Sequence, residues 1–220
     1  MINRKTFTFQ NEIDTTSANA EASFVYNLNK HSKLFVEYGV PSGGFEKFKF
    51  ASIKKGFTTW TLPVDQTNVG VKPDFLWFDK NIKAGLSVPE EDLAEIVKSF
   101  EGCSVDSGGS FFTCACDKND NDESINSKYP SLMIKVGDDQ ATTDITFKAS
   151  ALMRYSDSDR KCSSRSMLAV SVPYLNDWSE ERGKTLWLVG DRMYSAMEVT
   201  HDMEQGLMGF SSYTGNIQFE

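Results

Sequence analysis

The sequence predicts a mainly β domain with one helix of moderate length, and three observations carry the prediction. Apolar and polar residues alternate in short runs along most of the chain. Glycine-rich or polar turns separate the runs. Only one long stretch repeats its apolar residues at helical spacing. Residues 5–10 alternate through Thr6, Phe7, Thr8 and Phe9, and residues 22–28 and 33–38 repeat the pattern. A turn at Gly39–Gly44 leads through Phe45, Phe48, Phe50 and Ile53 into a further strand over Phe57–Leu62. Strands are then expected at 110–116, 130–136, 144–155, 166–172 and 185–189, with a short helix over 191–197 and closing strands at 198–200 and 207–210.

The exception to this pattern lies at residues 75–100. An apolar run, Phe75 to Phe78, ends on Asp79, and a short polar segment follows. Ser87-Val88-Pro89 then opens a stretch with Glu90, Glu91 and Asp92 in its first turn and apolar residues at Leu93, Ile96, Val97 and Phe100. Acids near a helix N-terminus and this apolar spacing predict a capped amphipathic helix over 89–100, preceded by a buried strand and a loop. An acid at the end of such a strand is an active-site acid or the remains of one.

A chain of 220 residues buries about 70% of its unfolded surface, so residues 1–220 are expected to form one domain. The net charge of −8, without a basic block, argues against nucleic acid and anionic membranes as partners. No run approaches the roughly 18 apolar residues of a membrane span, and Met1–Thr6 leads into polar alternation, not a signal core. Cys103, Cys114, Cys116 and Cys162 suit two disulfides in an oxidising compartment, with three connectivities open. Zinc is excluded by the single residue between Cys114 and Cys116 and by the want of a nearby histidine. No cofactor is expected.

The order of these parts resembles the C-terminal lobe of a pepsin-like aspartic protease. Phe45–Leu62 is similar to that lobe's hairpin and Trp strand, Phe75–Phe100 to its catalytic strand and helix, and Trp187-Leu-Val-Gly-Asp191 with Leu207-Met-Gly-Phe210 to its closing signature. The resemblance covers nearly the whole chain, though no single motif is intact. It implies a single lobe of the acid-protease β-barrel fold with one or two short helices. It also implies a Cys116–Cys162 disulfide, leaving Cys103 with Cys114, and a compartment in the secretory pathway, the lysosome or vacuole lumen, or outside the cell. Gly190 and Asp191 would be structural, the glycine allowing close backbone approach beside the catalytic loop.

The family's chemistry needs two carboxylates sharing a proton, one acting as base toward water and the other as acid toward the peptide carbonyl. Each lobe supplies one, and the residues before 40 leave no room for a first lobe. Asp79 stands where the flanks place the catalytic acid. The family's Thr or Ser and Gly are replaced there by Lys80 and Asn81, which neither permit the tight turn nor brace the pair. Asp106 is the less favoured alternative: Asp106-Ser-Gly-Gly-Ser110 matches the motif, but its flanks do not, and the composition is that of a turn. Asp14-Thr-Thr-Ser17 is a third lookalike and reads as a polar loop. Asp117–Asp122 resembles a calcium loop but has Asp122 where glycine is needed and Lys128 where the bidentate Glu would stand. His31 and His201 lie in polar surroundings and suggest no triad. Trp60 and Trp187 read as core residues.

The sequence therefore predicts a pepsin-like peptidase homologue, catalytically inactive as this single lobe. Its expected work is binding or structural, with an N-lobe-like chain or a larger assembly as protein partner. The alternative is the C-terminal chain of an active two-chain endopeptidase that pairs Asp79 with an Asp from a separate N-lobe.

Overall fold

A computed structural model of the chain describes residues 6–9, 25–28, 34–38, 46–54, 60–79, 85–164, 167–169, 184–194, 196–202, 205–212 and 217–220. Lys80, Asn81, His31, Asp14–Ser17, the glycine-rich turn at 39–44 and the start of the expected 57–62 strand lie outside the described residues.

The mainly β prediction holds. Eighteen strands are arranged in three sheets, with four helices among the described residues. The first sheet has six strands: β1 (Thr6–Phe9), β2 (Val25–Leu28), β3 (Leu34–Tyr38), β4 (Lys49–Ser52), β16 (Met197–Asp202) and β17 (Leu207–Ser212), in the order β2-β3-β1-β16-β17-β4. Its central strand β16 is buried along its whole length, Glu198, Thr200, His201 and Asp202 included. Burying such polar groups is costly unless they are paired, and Glu198 forms an ion pair with Lys47. His201 is buried, and its ring packs against Trp60 at 4.3 Å between centroids.

The second sheet has eight strands: β5 (Thr61–Thr67), β6 (Phe75–Phe78), β7 (Leu86–Val88), β10 (Leu132–Asp138), β11 (Ala141–Phe147), β14 (Met167–Ala169), β15 (Leu186–Val189) and β18 (Ile217–Phe219). They run in the order β14-β7-β15-β6-β5-β10-β11-β18. The third, small sheet carries all four cysteines on or beside its strands: β8 (Cys103–Val105), β9 (Phe112–Cys114), β12 (Arg154–Ser156) and β13 (Lys161–Ser163), in the order β12-β13-β9-β8. Two disulfides, Cys103–Cys114 and Cys116–Cys162, hold it together.

Helix α1 (Glu90–Lys98) forms as the apolar spacing predicts and buries Leu93, Ile96 and Val97. Its start is different from the expectation. Ser87 lies inside β7, fully buried, and the N-cap is Pro89, which makes no side-chain cap bond. The acids of the first turn are left to satisfy the helix dipole. Helix α2 (Asp122–Lys128) begins within the end of the acidic loop, where Asn121 caps it by accepting from the Ser124 amide at 2.9 Å. Helix α3 (Ala149–Leu152) interrupts the strand expected over 144–155, and β8 forms where no strand is expected. Helix α4 (Asp191–Tyr194) sits where a short helix is expected. One continuous core joins α1, the eight-stranded sheet and β16–β17, with Trp187, Phe100, Phe112, Phe147 and Phe210 among its largest buried side chains. Among the described residues no helix is long and apolar enough to cross a membrane.

Candidate functional site

Strands β6 and β7 follow one another in the chain but do not pair. Strand β15 lies between them, parallel to β6 and antiparallel to β7. The register sets Leu186 against Phe75, Trp187 against Leu76, Leu188 against Trp77 and Val189 against Phe78. Two apolar runs distant in sequence are thus buried side by side, and their C-terminal ends coincide. A parallel pair has no short connection to fix it, so its register needs anchors at the ends.

At the N-terminal end the anchor is Asp74. Its carboxylate accepts from the Thr185 amide at 2.9 Å and the Thr185 hydroxyl at 3.2 Å, and it pairs with Lys184 at 3.3 Å. Partial burial pushes the Asp74 carboxyl up, but the Thr185 and Lys184 contacts outweigh it and hold the group below its ordinary value. At the C-terminal end the Asp79 amide donates to the Val189 carbonyl at 3.0 Å, and the Gly190 amide donates to the Gly85 carbonyl at 2.6 Å. The segment from Asp79 to Gly85 therefore leaves one side of β15 and returns on the other, pinned at both ends to consecutive residues. Asp79 stands at its start, half-buried. Gly190 meets Gly85 backbone to backbone, and α4 begins directly after it, with the Met193 amide donating to the Gly190 carbonyl at 3.0 Å. Phe78, directly before Asp79, packs edge-on to Tyr194 and against Phe210, at 6.4 and 5.2 Å between centroids.

Helix α1 is fastened to this arrangement by one polar contact. The Trp187 indole N–H donates to Asp92 Oδ2 at 2.6 Å, from a ring that is wholly buried. Burial pushes the Asp92 carboxyl above its ordinary value, with the Trp187 bond opposing and the neighbouring Glu91 adding to the rise. The 187–92 pair was not legible as a site feature: Trp187 reads as core and Asp92 as a helix-dipole acid, and only the packing of α1 on β15 joins them.

Asp106 is a turn residue in a different sheet, at the tip of the β8–β9 hairpin. Its carboxylate accepts from the amides of Gly108, Ser110 and Phe111 at 2.8, 2.8 and 2.7 Å, and Gly109 takes φ +68°. The Phe111 amide first, with those of Gly108 and Ser110, holds the Asp106 carboxyl below its ordinary value. Asp120, in the acidic loop, is occupied as well: it accepts from the Asp117 amide and the Ser124 hydroxyl and pairs with Lys128 at 2.5 Å. Among the described residues no group of three or more His, Cys, Asp or Glu side chains is placed to hold a metal ion. No protein-family model and no curated protein matches the chain.

Proposed function

We propose that this chain is a pepsin-like peptidase homologue that has kept the scaffold of the catalytic loop and lost its chemistry, and that it works as a protein-binding or structural subunit. The observation that carries the reading is Asp79, set at the end of a buried strand and hydrogen-bonded through its amide to the strand threaded between β6 and β7. The order of the parts along the chain supports it further. Against activity stands the composition of the loop: between Asp79 and Gly85 the sequence supplies Lys80 and Lys83 and no second acid. Two carboxylates sharing one proton require a loop that lets the two lobes meet, and Lys80 and Asn81 stand where the family has its hydroxyl and its glycine. The partner we propose is a protein, either an N-lobe-like chain or a larger assembly. Two disulfides are compatible with a secreted or lumenal protein, and we place its work in the secretory pathway, a lysosome or vacuole lumen, or outside the cell.

The test is peptide cleavage at acid pH by the purified chain, with Asp79→Asn and a general aspartic-protease inhibitor as controls. The expected result is no cleavage by either form. Cleavage by the wild type that vanishes in Asp79→Asn overturns the inactive reading.

A further inference from the structure

The four cysteines of the small sheet are arranged in a way that their two disulfides do not exhaust. Cys114 has two register partners: Cys103 across β8 and Cys162 across β13. Residues directly opposed on adjacent strands project to the same face, so the three side chains form a row across the sheet with Cys114 at its centre. Cys114 bonds Cys103, with Cα atoms 4.2 Å apart, while Cys162 bonds Cys116, with Cα atoms 5.4 Å apart. Opposed antiparallel residues lie about 4.5–5.5 Å apart at Cα, within the roughly 4.4–6.8 Å that a disulfide spans. Cys114 and Cys162 are thus neighbours across a paired seam that carries no bond between them. Accessibility divides the cysteines the other way. Cys114 and Cys162 are buried, at 1% and 0% exposure, whereas Cys103 and Cys116 are half-buried. Each disulfide joins one half-buried cysteine to one buried cysteine.

We propose that these cysteines form a thiol–disulfide relay, in which a small thiol attacking one outer sulfur drives the buried pair Cys114–Cys162 together and releases the other outer sulfur as a free thiol. The thiolate of a low-molecular-weight thiol attacks Cys103 Sγ, the S–S bond to Cys114 breaks, and its electron pair leaves on Cys114 as a thiolate. That thiolate faces Cys162 and attacks its Sγ. The Cys114–Cys162 bond forms, the Cys116–Cys162 bond breaks, and Cys116 leaves as a thiolate that takes a proton from water. A second thiol resolves the mixed disulfide on Cys103. In sum, two small thiols become one small disulfide, and the protein exchanges two disulfides for one disulfide and two thiols. Entry at Cys116 runs the same path in reverse and ends at Cys103. The surviving bond lies where reductant cannot reach it, so the β9–β13 seam stays covalently closed while β8, which packs beside α1, is released.

The experiment is partial reduction of the full chain with reduced glutathione, acid quenching, alkylation with N-ethylmaleimide, and mass-spectrometric mapping of a digest made without further reduction. The expected one-disulfide species has Cys114 linked to Cys162, with Cys103 and Cys116 carrying maleimide or glutathione. A one-disulfide species that keeps Cys103–Cys114 or Cys116–Cys162, or the absence of any one-disulfide species across the titration, overturns the relay. The variant Cys103→Ser needs no added thiol: it should be isolated with Cys114 bonded to Cys162 and a titratable thiol at Cys116, and a Cys116–Cys162 bond with Cys114 free refutes the proposal.

Discussion

Replacing Trp187 with phenylalanine should lower stability by about 3 kcal/mol, the sum of two losses estimated from general scales. The indole N–H of a wholly buried ring donates to Asp92 at 2.6 Å. A hydrogen bond to a charged group contributes about 1.5–3 kcal/mol, and phenylalanine has no donor to replace it. The smaller ring also leaves space in a closed core, which adds at least about 1 kcal/mol, a little more than one buried methylene. In a chain of this size that corresponds to a fall in Tm of about 6–12 °C. Urea unfolding with the disulfides intact, followed by circular dichroism, measures it. Asp92→Ala and the double variant complete a cycle whose coupling should be about 1 kcal/mol or more, since the two side chains touch. Asp92→Asn keeps an acceptor and should lose less. The pH dependence has a definite sign. The Asp92 carboxyl is raised by burial from its ordinary 3.8, so its contribution is fully present below that value and lost as pH rises through the folded one. Wild type should therefore lose stability relative to Asp92→Asn on going from strong acid to neutral pH. A Trp187→Phe protein within about 0.5 kcal/mol of wild type, or a cycle without coupling, refutes the claim that this bond fastens α1 to β15.

Two further predictions concern the hairpins and the acidic loop. Gly137 takes φ +104°, and a Cβ there would sit 2.0 Å from the Ala141 carbonyl oxygen, so Gly137→Ala should destabilise by at least about 1–3 kcal/mol, read by the same urea assay. A change near zero would mean that the β10–β11 hairpin yields freely at this point. Asp120 is held down to about 2, from an ordinary 3.8, first by its bond to Lys128 and then by the Asp117 amide. A depressed carboxyl stabilises above its unfolded value, so the loop should keep this contribution above pH 3.8 and lose it as the pH falls toward 2. Carboxyl NMR titration should show Lys128→Ala bringing Asp120 back toward its ordinary value, and an unmoved midpoint would break the assignment of Lys128 as the cause.

How much of this was legible in the sequence depended on how local each signal was. Alternation marked strands such as β10 and β11 because one face of each is buried, and the spacing of Leu93, Ile96, Val97 and Phe100 marked α1 for the same reason at a different period. The turn at Asp106 was legible from Asp-Ser-Gly-Gly-Ser, because its hydrogen bonds close within five residues. Helix α2 escaped because the acids that precede it read as a solvated loop, although Asn121 and the acids Asp122 and Glu123 are the start signals of a helix. Helix α3 and strand β8 escaped because three or four residues are too few to show a period.

By itself, then, the sequence determined the fold class, many of the strands and α1, the turn chemistry and the acid at the end of a buried run, all of which depend on neighbours a few residues away. Only the tertiary structure decided that β15 enters between β6 and β7, that Asp79 and Gly190 end side by side, that Trp187 reaches Asp92, and that Cys114 faces both Cys103 and Cys162. Apart from Cys103 with Cys114, each of these is a pairing between segments far apart in the chain. The residues themselves carry only their burial and their donors, and which buried strand meets which is set by how the whole core closes.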